Sequence, residues 1–344
     1  MKKFNYEVSD ATIALKLDGY YVWDTSVIKV DGRYFMFSSR WPYKYGFGWN
    51  WLYNSEVILS SSDKPEGPYK FEKVILPRRG KEYFDGMNTH NTCIRRYKDK
   101  FYLYYMGTTY NRDPLEDISN IPMDEILDTW DHKRIGLAIA DNIMGPYKRI
   151  NEPLLLPNVD SWDATAITNP AVAIMDDGQT YMIYKSRKNS GEDNTLKLGI
   201  SYAPTPEGPF TKLLNKPLFD INDKDKHIED PFFWYDSKKK KFCIITKDDP
   251  HNGSLGFTGE WGSGFYVDSD EPTKFNLDEA EKVYSRTFTW KDGTIRTQCN
   301  LERPSVLFDE NGEPTHMFFA SGEGPNPYQF EGQTYIVCMK LNKK

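Results

Sequence analysis

The chain has 344 residues, 39% hydrophobic and 27% charged, enough for one large core or two ordinary domains. A net charge of −6 without any long basic run argues against nucleic acid or an anionic membrane as the partner. Aromatic residues reach 15%, a bias shared by β-strands and by surfaces that stack on sugar rings.

The opening stretch, MKKFNYEVSDATIALKL, has basic residues but no apolar run of signal-peptide length, and no later stretch reads as a membrane span. A cytoplasmic protein is expected, or a periplasmic or secreted one if a signal peptide has been removed. Cys93, Cys243, Cys299 and Cys338 sit singly in strand-like runs without CxxC spacing. That pattern predicts reduced, buried thiols rather than a disulfide framework or a zinc site.

From Trp23 onward one pattern recurs: a polar or acidic residue, a short apolar run, a turn, and an aromatic-rich run. Its copies are WDTSVIKVDGRYFMFSSR from Trp23, HNTCIRRYKDKFYLYYMGTT from His90 and TNPAVAIMDDGQTYMIYKSR from Thr168. EDPFFWYDSKKKKFCIITKD from Glu229 and ERPSVLFDENGEPTHMFFASG from Glu302 complete the set. Each reads as two strands around a turn, which is a hairpin signature. The first three copies are followed by SEVILSSSDKPEGPY, KRIGLAIADNIMGPY and LKLGISYAPTPEGPF, a third strand and a Gly-Pro-aromatic turn into a fourth. A degenerate version surrounds GSGFYVDSDEPTKF, and the last unit ends in TYIVCMKL. Four-stranded units at intervals of roughly 60–80 residues predict an all-β, five-bladed β-propeller, with residues 1–344 as a single domain. A short helix is expected in a blade-two insertion near MDEILDTWDHKRIG.

In such a fold the first strand of each blade lines the central channel. Trp23-Asp24, His90-Asn91, Asn169, Glu229-Asp230 and Glu302 therefore gather at one end of it, and must be solvated, paired or liganded there. The antiparallel second strands return Ser39-Arg40, Thr108, Lys185-Ser186-Arg187, Lys247-Asp248 and Ser321 to the same face. Residues 41–53, WPYKYGFGWNWLY, emerge there too, either as an aromatic rim for a sugar or as a plug or contact surface. Two carboxylates across a pocket are what glycosidic cleavage requires. Lys185, Arg187, Lys247, Arg286 and Arg303 near this face suit an anionic substrate, or pair with the clustered acids. The stretch DINDKDKHIED mimics a calcium loop but lacks its glycine, and no histidine spacing suits zinc. GSLGFTGEWGSG is expected to form a mobile rim loop.

WDTSVI, TNPAV…DDG and HIEDPFFW resemble the signature strands of the five-bladed propeller glycosidases. These are glycoside hydrolase family 43 and its relatives, including the anhydrogalactosidase, fructosidase and levansucrase groups. The resemblance spans nearly the whole chain and implies an exo-acting, inverting hydrolase working on an oligosaccharide or glycoside. It implies Asp24 as the base and Glu229 as the acid. Glu302-Arg303-Pro304 resembles the levansucrase-type Glu-Arg-Pro, so Glu302 competes for the acid's role. Asn169 stands where many members carry an Asp that raises the acid's pKa, and an amide supplies no such field. Asp230 or Asp163 is the expected substitute. Trp23, at the pocket floor, and His90, Asn91, Asp163, Asn169, Lys185, Asp230 and Arg303 are expected to line the sugar's site. No cofactor is required, although some such enzymes carry calcium or another cation in the channel. Two alternatives are a phosphorylase or fructosyl transferase on the same fold, and a non-catalytic glycan-binding propeller.

Overall fold

The computed structural model describes residues 3–114, 117–189, 195–221, 223 and 225–344. Five sheets surround one axis, as the repeat predicts. Blade one is Tyr20–Val30, Arg33–Pro42, Glu56–Ser62 and Lys70–Leu76. Blade two is Asn88–Tyr97, Lys100–Thr108, Arg134–Ala140 and Lys148–Arg149. Blade three is Thr168–Ile174, Thr180–Ser186, Lys197–Ala203 and Thr211–Lys212, and blade four is Ile228–Asp236, Lys241–Asp248, Gly264–Ser269 and Glu281–Tyr284. All four are antiparallel meanders built from strands consecutive in the chain. The Gly-Pro turns at Gly67, Gly145 and Gly208 join third strands to fourth strands, each through a cis peptide bond.

Blade five is assembled differently. Glu302–Phe308, Pro314–Ser321 and Tyr335–Lys343 form its inner part, and the fourth strand is Tyr6–Leu15 from the chain's beginning, antiparallel to Tyr335–Lys343. Thr287–Trp290 and Ile295–Thr297 extend this sheet further, the former running parallel to Tyr6–Leu15. The repeat does not reveal this closure. It covers the edge of Tyr335–Lys343 and ties the first and last segments of the ring together.

Adjacent blades pack face to face. Between blades one and two, Phe37, Val57 and Leu59 meet Ile94, Leu103 and Ala138, all buried. Burial on both faces explains why alternation along these strands is weak in the sequence. The four cysteines are buried free thiols.

Each innermost strand carries one irregularity at the same place. Its pairing slips between Trp23 and Ser26, His90 and Cys93, Thr168 and Ala171, Glu229 and Phe232, and Glu302 and Ser305. The second residue of each slip is left-handed: Asp24 at φ 52°, Asn91 at 53°, Asn169 at 54°, Asp230 at 52° and Arg303 at 56°. Asp and Asn tolerate that conformation best among residues with a side chain. Arg303 does not, and its strain is offset by the ion pairs described below. The bulge turns these five side chains onto the axis and leaves Trp23, His90, Glu229 and Glu302 before them facing the channel mouth.

Candidate active site

The five left-handed residues form a closed ring across the axis. Arg303 Nε lies 3.2 Å from Asp24 Oδ1, and its Nη1 donates to Asp230 Oδ1 at 2.8 Å. Asn169 Nδ2 donates to the same Asp230 oxygen at 3.1 Å. The Asn91 amide bridges Asn169 and Asp24. With its nitrogen turned to Asp24 it donates to Oδ1 at 2.6 Å and Oδ2 at 3.1 Å; in the opposite orientation it donates to Asn169 Oδ1. Asp24 is fully buried and heavily bonded. Its Oδ2 also accepts from Ser39 Oγ at 2.6 Å and from the Asn91 backbone N–H at 2.8 Å, with His90 Nε2 at 3.2 Å.

Above the ring lies a cavity of about 300 Å³. Trp23, His90, Glu229 and Glu302, each the residue before a ring position, line it. Asn91, Asn169, Asp230, Arg303 and Lys185 line it as well, whereas Asp24 does not. The 41–53 segment folds into a 3-10 turn at Tyr43–Tyr45 and a short helix at Asn50–Asn54. It supplies Trp41, Phe47, Trp49 and Trp51 to the wall. Trp23 packs edge-on against Phe47 and Phe330. His90 has both nitrogens engaged, by Ser55 Oγ at 2.7 Å and by Asp24. Burial outweighs Asp24 and takes its imidazole down to about 4, so it is neutral at pH 7.

The cavity's two glutamates differ in environment. Glu229 Oε1 accepts from Lys185 Nζ at 2.8 Å. Burial favours its neutral form, but Lys185, Lys247 and His227 outweigh burial and bring the carboxyl down to about 2. Glu302 accepts from Lys247 Nζ at 2.8 and 3.0 Å, from Asn300 Nδ2 at 2.6 Å and from Tyr328 OH at 3.0 Å. Here burial, reinforced by Asp230 and Glu229, overrides Lys247 and lifts the carboxyl to about 7. Oxygens of Glu229, Asp230 and Glu302 lie within 4.8 Å of one another.

That carboxylate trio is the natural place for a cation in the channel, but it does not fit one. Lys185, Arg303 and Lys247 already bond its three members and place positive charge where a cation would sit. His227, Asp249 and His251 also converge, although His227 spends one nitrogen on Asp249 and the other on the Leu196 carbonyl. In the DINDKDKHIED stretch, Asn222 and Lys224 lie outside the described residues.

Other expected residues are placed elsewhere. Asp163 is not in the cavity. It is buried against blade three, taking Lys212 Nζ at 2.6 Å and Tyr184 OH at 2.9 Å, because the segment before Thr168 folds back over the outer strands. Arg187 pairs with Asp131, and Arg286 is spent on the carbonyls of Trp261, Gln298 and Cys299. The glycine-rich stretch of blade four is pinned rather than loose. Asp248 Oδ2 accepts from Phe257 N–H, Thr258 N–H and Thr258 Oγ at 2.7–2.8 Å.

Sequence reasoning missed four lining residues. Trp130 comes from the blade-two insertion, whose helix is Met123–Asp131, Lys133 and Leu196 open the third-strand segments of blades two and three, and Tyr328 comes from the loop after the blade-five hairpin. The cues were the predicted helix and the matching starts of the KRIGLAI and LKLGISY segments. A larger cavity, about 740 Å³, opens at the opposite mouth among the hairpin turns. Arg95 there is taken up by the carbonyls of Val172, Ile94 and Phe233. The converging carboxyls are at the other end.

The protein is thus a five-bladed β-propeller with an acid-lined axial pocket. No protein-family model matches the chain, and comparison with curated proteins finds no match. Solved structures do match its fold. One is a family 117 glycoside hydrolase produced by the marine bacterium Zobellia galactanivorans, with a TM-score of 0.66 at 16% identity over 98% of this chain and 91% of that one. Another is the catalytic domain of a Coprinopsis cinerea family 62 α-L-arabinofuranosidase, with 0.62 at 11% over 98% and 97%. A third is a thermostable family-43 glycoside hydrolase, with 0.60 at 14% over 94% and 91%. At these identities the likeness concerns the fold.

Proposed function

We propose that the protein is an exo-acting glycoside hydrolase that admits one terminal sugar to the axial pocket. The observation that carries this is the divergence of two neighbouring carboxyls: Glu229 held ionised at about 2, Glu302 retaining a proton to about 7. Two carboxyls pushed apart in one pocket are the arrangement that assigns a base and an acid. The size of the pocket and its aromatic wall suit a single ring, and the matched folds belong to proteins named as glycosidases.

Glu302 gives its proton to the glycosidic oxygen as the bond from that oxygen to C1 breaks, and Glu229 attacks C1 to form a glycosyl ester. Glu302, now ionised, takes a proton from water, whose oxygen releases the sugar from Glu229. One oxygen of each glutamate lies within 4.8 Å of the other, which leaves little room between them for the water that inversion places there, and this supports the retaining course. Asp24, bonded below the floor, has a positioning role: with Arg303 it holds the ring on which the glutamates stand. A panel of aryl glycosides, with product anomers followed by NMR, tests the proposal. A product of inverted configuration would reject the Glu229–Glu302 pair, and no turnover across the panel would reject the hydrolase.

A further inference from the structure

The cations around the pocket are matched to carboxylates, with one exception. Lys185 has Glu229, Lys247 has Asp249 and Glu302, Arg303 has Asp24 and Asp230, and Arg187 has Asp131. Lys133 is only 2% exposed and lines the cavity. Among the described residues its ammonium donates no hydrogen bond and has no carboxylate within ion-pair distance. Its close partners are ring faces, Trp130 at 3.3 Å from the centroid and Trp51 at 5.3 Å.

A buried ammonium without an acceptor is costly, and ring faces replace only part of its hydration. Burial, with Lys185 and Arg187 nearby, lowers its proton affinity well below the ordinary lysine range. An anion arriving in the pocket would restore the missing partner. We infer that Lys133 recognises a carboxylate on the bound sugar, so that the pocket takes a uronic acid, its ring against the aromatic wall. A single point-like ammonium matches one negative charge, whereas phosphate sites usually present forked arginines or several donors. The inference rests on reading the cavity as a sugar subsite.

Titration calorimetry on the full chain tests it directly, with free glucuronate and galacturonate beside glucose, galactose and a 6-sulfated hexose. One uronate is expected to bind at least about tenfold more tightly than its neutral parent, the worth of one charged hydrogen bond. Lys133→Met should bring that ratio to within about twofold, and Lys133→Arg should keep part of it. Equal binding of acid and parent, binding of neither, a preference for the sulfated sugar, or a ratio unchanged in Lys133→Met would each overturn the inference. If Lys133→Met fails to fold, the ratios in the wild type and in Lys133→Arg still decide. Binding needs no turnover. A uronate preference without glycoside cleavage therefore rejects the hydrolase and keeps the subsite. Cleavage of neutral glycosides without a uronate preference does the reverse.

Discussion

Lys247 stands opposite Glu229 in the hairpin of blade four, yet its ammonium goes to Glu302 of blade five, 2.8 Å from Oε1. Lys185 of blade three is likewise given to Glu229 of blade four. Each lysine thus reaches one blade onward, and the two acids sit in the same repeat position with different surroundings. Glu229 has a favourable field from three cationic groups. Glu302 is more deeply enclosed and feels the charges of Asp230 and Glu229, so one directly bonded lysine does not hold it ionised.

Glu302→Gln removes the proton donor while keeping the shape. We expect kcat/KM on glycosides with poor leaving groups to fall about 10²–10⁴-fold, and far less with a dinitrophenyl leaving group that needs no protonation. In the wild type kcat/KM should decline as pH rises through about 7, where Glu302 loses its proton, and the variant should lack that decline. An unchanged alkaline limb in Glu302→Gln would assign the proton to another group.

Glu229→Ala should lose turnover by several orders of magnitude. Azide should restore it on an activated aryl glycoside. The azide nitrogen bonds to C1 as the phenolate leaves, giving a glycosyl azide of inverted configuration. Asp24→Asn should weaken activity without azide rescue, because its carboxylate supports Arg303 and does not face the sugar. Azide rescue of Asp24→Ala in place of Glu229→Ala would exchange the two roles.

The blades were legible because each hairpin is local and its turn is written in adjacent residues. The closing strand Tyr6–Leu15 was not, since it carries none of the repeat's markers and its partner Tyr335–Lys343 lies at the other end of the chain. Similarly, repeat position brought Asp24, Glu229 and Glu302 to one end of the channel. Their different surroundings arise from a one-residue bulge that turns Asp24 onto the axis and leaves the two glutamates facing the cavity. Lys133 escaped notice because it opens the KRIGLAI segment, where the repeat marks a third strand and the equivalent residue in blade three is the uncharged Leu196. Asp163 was misplaced because it precedes its strand and folds outward to Lys212.

Closure should be worth a large part of the fold's stability. Leu15 is buried between Tyr335–Lys343 and blade one, so Leu15→Ala should cost about 2–5 kcal/mol in chemical denaturation. If closure couples the whole ring, the transition should stay single and move to lower denaturant with its slope unchanged. A separate early transition would show that blade five opens alone.

Thermal unfolding across pH distinguishes the two glutamates without any substrate. Glu229 titrates at about 2 in the folded chain against an ordinary 4.5, so its stabilisation is complete above about 4.5 and is lost as pH falls toward 2. Glu302 titrates at about 7 against 4.5, so the folded state holds its proton more tightly than the unfolded one. Stability from this group falls as pH rises from 4.5 to about 7 and levels off beyond. Glu302→Gln changes the bonding of Lys247, which keeps Asp249 and Tyr328, and so offsets Tm; the comparison lies in the slope. Between pH 4.5 and 7 the wild type should lose stability relative to the variant, and other titrating groups, present in both, largely cancel. Parallel Tm curves over that interval would mean that Glu302 is already ionised in the folded protein, and would remove it as the proton donor.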